Sequence, residues 1–396
     1  MLMLRMQATG IMLLITCGYL WFLMGIAWAP SNKIYQQALV ALLWLPGILA
    51  MFIFHRRLLD IWCSSRVFCS FLLLFLGWAA LSTLWTGADE PLRELKRVFY
   101  VGLFLVSLAL LSSQHPERIW QGLAVAFVGL ALACLASICL FYIRDMQPLT
   151  ARLYGIGQVG HPILGAYVMA LVVIWGARFK PSGIWQSLLW GALMLSALMF
   201  ILLGQSRGAT LALVAGIFAL LLLRGGRAVW GGSAAIILVC WGAYELFAPL
   251  ILARGFSYRP EIFQASLDMF MQNPLLGLGV GTDYRVVTFN YPEGFDHTHN
   301  GFTHVAVELG FPGVVLWISL WLSAFHTVWQ RRFSAEGRLV FGTLVVSLAA
   351  LQFDAASLWG TPRAEWFVVW LPLALTLALI AQPQNARLRP ACIEVS

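Results

Sequence analysis

Charged side chains are scarce in this chain of 396 residues: Asp, Glu, Lys and Arg together make up 11% of it, against about 25% in soluble domains. Hydrophobic residues account for 61%, and the mean hydropathy is +0.82. Too little polar surface remains to cover a folded core in water. The composition therefore excludes a water-soluble globular protein and indicates a polytopic integral membrane protein.

Other patterns are also absent from the sequence. Polar and apolar residues do not alternate over strand-length runs, as a membrane β-barrel would require. The seven cysteines form no CxxC pair and no Cys/His quartet, so neither a zinc site nor a disulfide framework is predicted. No Walker or Rossmann motif occurs. We therefore expect no cofactor and no nucleotide.

Apolar segments long enough to be membrane spans occur twelve times. They lie at 10–29, 37–54, 67–85, 98–112, 119–143, 161–177, 184–203, 208–223, 229–248, 304–327, 339–357 and 366–381. A span needs about 20 residues, so one bundle accounts for the length. We expect an all-α fold with about twelve transmembrane helices and one domain over residues 1–396. The first segment has a signal-like Ala27-Trp28-Ala29, but it is too long and too rich in Trp, and we predict an uncleaved helix.

The distribution of basic residues predicts the orientation. Twelve spans place both termini on one side, and the loops of that side hold 14 of the 25 basic residues but only four of the 17 acidic ones. Basic residues in short loops mark the cytoplasm, so both termini are expected there. The pI near 9.3 then reflects topology, and we expect no nucleic-acid partner.

The longest outer segment, residues 249–303, separates spans nine and ten. Loops of this length are usually functional or disordered, and this one is too apolar for a solvated tail. A helix start at Pro260-Glu261 and a stop at Asn273-Pro274 enclose a run with one apolar face. That face consists of Phe263, Leu267 and Phe270. We predict an amphipathic interfacial helix that contacts the bundle or a lipid tail.

Three glycines follow this predicted helix, at Gly277, Gly279 and Gly281. Their spacing would let backbone N–H groups approach a phosphate closely. A flexible turn back into the membrane explains the same glycines equally well.

Histidines are concentrated in the next motif, Asp296-His297-Thr298-His299-Asn300. An imidazole has a pKa near neutrality and can act as the base for a hydroxyl group. His297 and His299 compete for this role, and Asp296 could orient either ring. Two histidines at i and i+2 could also ligate a metal, but no third ligand accompanies them in the sequence. We therefore expect no metal site.

Basic residues recur at the outer span ends, where they are disfavoured. They are Lys96, Arg97, Arg152, Arg207 and Arg259. Snorkelling to lipid headgroups explains any single one, but the set indicates an anionic partner. Arginine stays charged in a poorly hydrated cleft and binds phosphate oxygens bidentately. Such cations and a histidine base suit glycan transfer from a lipid pyrophosphate to a sugar hydroxyl.

These motifs together resemble the bacterial O-antigen ligase family, which is related to the O-antigen polymerases. The resemblance rests on His299-Asn300 followed after nine residues by Gly310-x-x-Gly313, on Ser206-Arg207-Gly208, and on Arg259 before a helix in the long outer loop. It covers the whole chain in span number and loop placement, and it is sharpest from about 200 to 313. The glycine spacing favours His299 over His297, and both glycines are implied to permit close helix packing.

The resemblance implies a GT-C-like, metal-independent, inverting glycosyltransferase of the bacterial inner membrane, with a periplasmic active site. Its donor would be O-antigen on undecaprenyl pyrophosphate and its acceptor a sugar hydroxyl of lipid A-core, among membrane lipids. His299 would be the base, and Arg207 and Arg259 would hold the pyrophosphate. Arg152 would be a third phosphate contact, and Asn300 would orient His299 or the acceptor. His297, Asp296, Lys96 and Arg97 complete the candidate substrate-binding residues.

Three alternatives share parts of this pattern. An O-antigen polymerase uses the same donor and another carrier-linked glycan as acceptor, and a protein O-glycosyltransferase differs in its acceptor. A transporter or flippase would place ionisable residues at mid-membrane and broken helices in both halves. The charges here gather at outer span ends, which favours an enzyme. Glu308, inside a predicted span, is either a functional residue or a carboxylate at the watery end of a helix.

Overall fold

The computed structural model describes residues 2–179, 181–227, 229–234, 238, 242, 258–354 and 358–383. These residues form mainly helices. They are α1 (Leu2–Trp28), α2 (Asn32–Leu39), α3 (Leu45–Ile53), α4 (His55–Ser64), α5 (Arg66–Ser82), α6 (Pro91–Gln114), α7 (Pro116–Ile138), α8 (Pro162–Gly176), α9 (Ile184–Leu203), α10 (Arg207–Arg224), α11 (Arg259–Gln272), α12 (Gly301–Trp329), α13 (Ala335–Leu351) and α14 (Ala364–Ala381). Short π-helical turns at Val40–Trp44 and Cys139–Arg144 follow α2 and α7.

Eight helical segments in the described part are long and apolar enough to cross a membrane. They are Ala8–Trp28, Asn32–Ile53, Pro91–Gln114, Pro116–Arg144, Ile184–Leu203, Arg207–Arg224, Gly301–Trp329 and Ala364–Ala381. A ninth candidate is the pair α4 and α5, which meet at 114°. The all-α polytopic class is confirmed. The number of twelve spans and the single domain stay predictions, because much of the predicted span 229–248 and residues 249–257 of the long loop lie outside the described residues.

Helix α14 forms the centre of the bundle. All 18 of its residues are buried, because it is apolar on every side and packs against α6, α8, α12 and α13. Trp366 and Trp370 project from it into aromatic clusters with neighbouring helices. The first residues of α14 are therefore held rigidly at one end of the bundle.

Helix α12 is broken at Gly310, where φ is 64°. This left-handed conformation favours glycine, and Pro312 starts the second half of the helix. A Cβ on Gly310 would clash with the backbone of Leu275, so the close neighbour of this glycine is a loop and not another helix. The break frees carbonyl groups on the first half of α12, which accept hydrogen bonds from other segments.

The loop after α11 supplies most of these donors. The N–H groups of Leu278 and Gly279 donate to the carbonyls of Val307 and Glu308 at 2.9 and 2.8 Å, and Trp78 Nε1 donates to the carbonyl of Leu309 at 2.9 Å. The residues that follow α11 are therefore fastened to the break, close to the first half of α12.

The long loop contains more structure than the predicted helix. Helix α11 begins at Arg259 and ends at Gln272, as the Pro260 and Pro274 signals indicate. Its buried positions are Ile262 and Ser266, whereas Phe263, from the predicted apolar face, is 45% exposed. The face that packs against the protein thus differs from the predicted one.

A β-hairpin follows α11, and the sequence did not predict it. Strand β1 (Val286–Thr288) pairs antiparallel with β2 (Tyr291–Phe295), with Val286 opposite Phe295. Both strands are short, and β2 contains Pro and Gly, which are unusual within strands. The hairpin contacts α11 and leads directly into the histidine motif.

Candidate functional site

A cavity of about 460 Å³ lies at the end of the bundle where the long loop packs. Several of the segments that the charge pattern assigns to the outer side contribute to its wall. The titratable lining residues are Glu94, Arg97, His161, Asp283, Tyr284, Asp296, His297, His299, His304, Glu308, Asp354, Arg363 and Glu365. Six carboxylates therefore face four imidazoles and two guanidinium groups. The structure brings the predicted histidine motif together with groups from the starts of α6, α8 and α14.

The histidine motif forms a cluster with Asp354, which lies just beyond the end of α13. His297 Nε2 and His299 Nδ1 are each 3.3 Å from the same oxygen, Asp354 Oδ1, and the two imidazole centroids are 3.8 Å apart. His297 Nδ1 is also 2.6 Å from Asp296 Oδ1. Asp296 thus contacts His297 and not His299. We call His297, His299 and Asp354 the histidine cluster.

The two imidazoles differ in how their nitrogens are used. An ionised carboxylate only accepts hydrogen bonds, so His299 donates through Nδ1 and keeps a lone pair on Nε2 when the ring is neutral. His299 Nε2 has no hydrogen-bond partner among the described residues. Both nitrogens of His297 face carboxylates, and only the protonated ring can donate to both.

The electrostatics of the cluster agree with this arrangement. Burial alone would lower the pKa of His297, but the hydrogen bonds and charges of Asp354 and Asp296 raise it above its ordinary value. Burial alone would raise the pKa of Asp354, but the hydrogen bonds from His297 and His299 lower it well below its usual range. Asp354 therefore stays ionised and His297 holds its proton more firmly.

His299 lies directly before the N-cap of α12. His299 has a φ of 50°, a left-handed conformation that is uncommon outside glycine and often found at functional sites. The next residue, Asn300, is the N-cap of α12: its Oδ1 accepts hydrogen bonds from the N–H groups of Phe302 and Thr303 at 2.8 and 3.2 Å. Asn300 thus caps the helix with its side-chain oxygen, and its amide lies 3.3 Å from the Gln352 carbonyl.

The cluster also has the spacing of a metal site. Its three ligand atoms all lie within 4.8 Å of one another, and a His₂–carboxylate set is a known ligand set for divalent metals. Asp354 is the third ligand that the local sequence pattern did not reveal, because it is 55 residues from His299. Metal independence therefore stays a prediction.

A second imidazole–carboxylate network lines the same cavity. Tyr284 Oη lies 2.6 Å from His304 Nδ1, and His304 Nε2 lies 3.4 Å from Glu308 Oε2. Trp359 Nε1 donates to Glu308 Oε2 and the Gly281 N–H donates to Glu308 Oε1, both at 3.1 Å. Burial raises the pKa of Tyr284, so its hydroxyl stays protonated. Glu308 is therefore a buried, hydrogen-bonded member of the cavity wall.

The glycine-rich turn does not present its N–H groups to the cavity. Leu278 and Gly279 donate to carbonyls of α12, Val280 donates to Ser82 Oγ at 3.1 Å, and Gly281 donates to Glu308. These contacts support the interpretation of the three glycines as a turn and do not support a phosphate-binding loop. A Cβ on Gly279 would clash with the backbone of Thr86, which shows why glycine is needed there.

The predicted cations occupy different positions. Arg97 lines the cavity and its Nη1 lies 2.6 and 2.7 Å from the two oxygens of Glu94. Lys96 is exposed and is not a lining residue. Both residues lie inside α6, which begins at Pro91 and not after Arg97, because Pro91 and a first-turn Glu94 are helix-start signals.

Three other arginines lie near the cavity without lining it. Arg259 Nε donates to the carbonyl of Phe353 at 2.9 Å, next to Asp354, and Arg152 Nε donates to the carbonyl of Gly204 at 2.8 Å. Arg207 is exposed at the first position of α10. Arg363, which the sequence reasoning missed, is an exposed lining residue at the N-cap of α14.

The residues missed by sequence reasoning are mostly acidic or aromatic: Glu94, Tyr284, Asp354, Trp359 and Glu365, besides Arg363. A signal for two of them was present in their positions, because Asp354 lies inside the predicted span 339–357 and Glu365 directly before the span 366–381, where charge is costly. Their partners could not be assigned from the sequence.

Comparisons with known proteins agree with the motif resemblance. A family model described as O-antigen ligase matches residues 191–318, a range that runs from α9 into α12 and includes both histidines of the cluster. A curated O-antigen ligase of Pseudomonas aeruginosa is 31% identical over 378 residues, which cover 94% of this chain and 92% of that protein.

Proposed function

The chain belongs to the O-antigen ligase family, and we propose that it transfers O-antigen from undecaprenyl pyrophosphate to a sugar hydroxyl of lipid A-core. Membership of the family indicates ligation of O-antigen in lipopolysaccharide biosynthesis and a glycosyltransferase-like enzyme. The donor, the acceptor, the reaction at the periplasmic face of the inner membrane and the residue roles are the proposal.

The observation that carries the proposal is the state of His299. His299 lines the cavity, its Nδ1 is hydrogen-bonded to the buried Asp354, and its Nε2 has no hydrogen-bond partner among the described residues. A carboxylate on one nitrogen sets the tautomer that leaves the other nitrogen basic. His297 lacks such a nitrogen, because carboxylates contact both. This supports His299 as the base.

The proposed reaction is one displacement. The acceptor hydroxyl gives its proton to His299 Nε2 while its oxygen bonds to the anomeric carbon of the donor. The bond from that carbon to the diphosphate oxygen breaks, and undecaprenyl diphosphate leaves with the bonding electrons. Attack opposite the leaving group inverts the anomeric configuration. Asp354 stabilises the imidazolium that forms.

Negative charge that develops on the diphosphate requires fixed cations. Arg207 and Arg259 are proposed to hold it, with Arg152 as a third contact and Lys96 and Arg97 nearby. The contact of Arg259 with the residue before Asp354 places one guanidinium beside the histidine cluster, which supports this arrangement. The acid-rich cavity itself is better suited to the hydroxyl groups of sugars.

A transfer assay tests the function. The purified full-length chain is reconstituted with lipid-linked O-antigen and lipid A-core, without ATP and with or without a chelator. We expect a new glycosidic product in both conditions. Product that disappears with chelator and returns with a divalent ion would make the histidine cluster a metal site, and no product from an active donor would refute the ligase proposal.

Orientation is tested separately. The excess of basic residues in the loops that share a side with the termini supports cytoplasmic termini. Reporter fusions at both termini and at residue 299 should report opposite sides of the inner membrane. A cytoplasmic signal at residue 299 would contradict a periplasmic reaction.

A further inference from the structure

The start of α14 contributes an unusual group to the cavity. Glu365 lies in the first turn of this helix, lines the cavity and is 8% exposed. No hydrogen-bond donor or cation of the described residues contacts its carboxylate. Because the helix that carries it is wholly buried and the residue lines the cavity, its carboxylate can meet only what enters the cavity.

The other buried carboxylates of the cavity are all engaged. Glu94 pairs with Arg97, Glu308 accepts hydrogen bonds from Gly281 and Trp359, and Asp354 contacts two imidazoles. The remaining two lining acids, Asp283 and Asp296, are exposed to solvent. Glu365 is therefore the buried lining carboxylate whose hydrogen-bonding capacity is left for a ligand.

Glu365 also faces the space next to the histidine cluster. The ring of His161, another lining residue, is under the influence of the charges of both Asp354 and Glu365. Asp354, His161 and Glu365 line the same cavity, so a ligand bound beside the histidine cluster also lies in the space that Glu365 faces.

The chemistry of a carboxylate selects the ligand. It accepts hydrogen bonds and donates none when ionised, so it binds hydroxyl groups and repels a diphosphate. Six carboxylates against two arginines give the whole cavity the same preference. Of the two substrates, the reacting portion of the acceptor is a neutral sugar with several hydroxyls, whereas the donor brings its diphosphate.

We propose that Glu365 binds hydroxyl groups of the acceptor sugar and thereby places the attacking hydroxyl at His299. The proposal rests on the proposed ligase function and adds a residue that determines acceptor binding. The position of Glu365 is fixed, because the helix that carries it, α14, is packed on every side.

The experiment compares Glu365→Gln and Glu365→Ala with the wild-type full-length chain in the transfer assay, with KM measured separately for acceptor and donor. Glu117→Gln is the matched control, because Glu117 is also a first-turn glutamate but is exposed and outside the cavity. A hydrogen bond to a charged group is worth enough for about a tenfold to hundredfold change in binding. We expect KM for the acceptor to rise by that factor in Glu365→Ala, less in Glu365→Gln, and KM for the donor to stay unchanged.

Acceptors that lack single hydroxyls sharpen the test. Removing the hydroxyl that Glu365 binds should raise the acceptor KM of the wild type but not that of Glu365→Ala. The effect of the deoxy acceptor and the effect of the substitution therefore should not add. Losses that add for every deoxy acceptor, or an unchanged acceptor KM in both variants, would overturn the role of Glu365. A raised donor KM would do so as well, and size-exclusion profiles identify a variant that fails to fold.

The two proposals fail in distinguishable ways. Transfer by the wild type to lipid A-core tests the ligase function itself. With that activity present, unaltered acceptor kinetics in the Glu365 variants would remove only the acceptor-binding role.

Discussion

Two imidazole–carboxylate arrangements share one cavity, and they differ in what they leave unbound. In the Tyr284–His304–Glu308 network both nitrogens of the ring have protein neighbours, and Glu308 also accepts from Trp359 and Gly281. In the histidine cluster His299 contacts Asp354 through Nδ1 alone. The same residue types thus make a closed structural network in one place and a ring with an unoccupied basic nitrogen in the other. Under the proposed function, the base is the ring that keeps this nitrogen unoccupied.

The largest expected effect on the rate of transfer comes from removing the imidazole of His299, and with it the unoccupied Nε2. His299→Ala should lower transfer by about 10²–10⁴-fold, the usual contribution of a general base, with expression and insertion unchanged. His299→Asn is the better-matched variant, because asparagine tolerates the left-handed backbone at this position. The measurement is the initial rate with saturating donor and acceptor.

His297→Ala is the control for that variant. We expect it to retain more activity than His299→Ala, since both His297 nitrogens face carboxylates. If His299→Ala transfers normally and His297→Ala does not, His297 is the base. The assignment of that role to His299 from its unoccupied Nε2 would then be wrong.

The next effect concerns the two arginines that are proposed to hold the diphosphate. Arg259→Lys and Arg207→Lys should each raise KM for the donor by about tenfold or more, because an ammonium loses the two parallel N–H donors of a guanidinium. The control is Arg338→Lys, which changes an arginine bonded to a backbone carbonyl far from the cavity. Wild-type donor kinetics in both variants would place donor binding elsewhere.

Substitutions in the Tyr284–His304–Glu308 network should lower the stability of the protein more than its transfer activity. Glu308→Ala leaves the Trp359 and Gly281 donors unpaired, at about 1–3 kcal/mol each, so the unfolding temperature in detergent should fall by several degrees. Transfer per folded molecule should stay within about tenfold of wild type. Glu336→Ala, which breaks a partly exposed pair with Arg178, should shift the temperature less. A Glu308 variant with normal stability and no transfer would make this network catalytic.

The smallest effect is the pH dependence of the His297–Asp354 contact. A raised pKa in the folded state means that His297 contributes stability below its ordinary value of 6.5, and that this contribution is lost as the pH rises through the raised pKa. The difference in unfolding temperature between wild type and His297→Ala should therefore shrink by about 1–2 °C from pH 6 to pH 9. A difference that grows with pH would contradict the charged state of His297.

Local signals in the sequence predicted local structure well. Pro260 and Pro274 bracket α11 as expected, whereas the N-cap role of Asn300 at the start of α12 was not predicted. The apolar face of α11 was predicted less well, because Phe263 remains exposed while Ser266 is buried. Which face of an interfacial helix is buried depends on the loop and hairpin packed against it, and these contacts leave no periodic pattern in the sequence.

The candidate site was predicted only in part, because contacts between distant segments leave no local pattern in the sequence. The motif with His297 and His299 was recognisable because its members are adjacent, and the arginines because they break the charge rule. Asp354 was not, since its contact with the histidines joins the end of α13 to the start of α12, and no local spacing encodes it. Arg97 was predicted as a substrate-binding residue without its partner Glu94, which lies three residues earlier and lines the same cavity.

The amino-acid sequence alone determined that this chain is a helical membrane protein, and it predicted that four of the seven histidines and several arginines lie at the outer end of the spans. Composition and helix signals suffice for this, because solvation by lipid and backbone hydrogen bonding act on each segment separately. Only the tertiary structure decided which carboxylate meets which imidazole and which groups remain unpaired. That choice depends on distances between segments far apart in the chain, and those distances are set by how the helices pack.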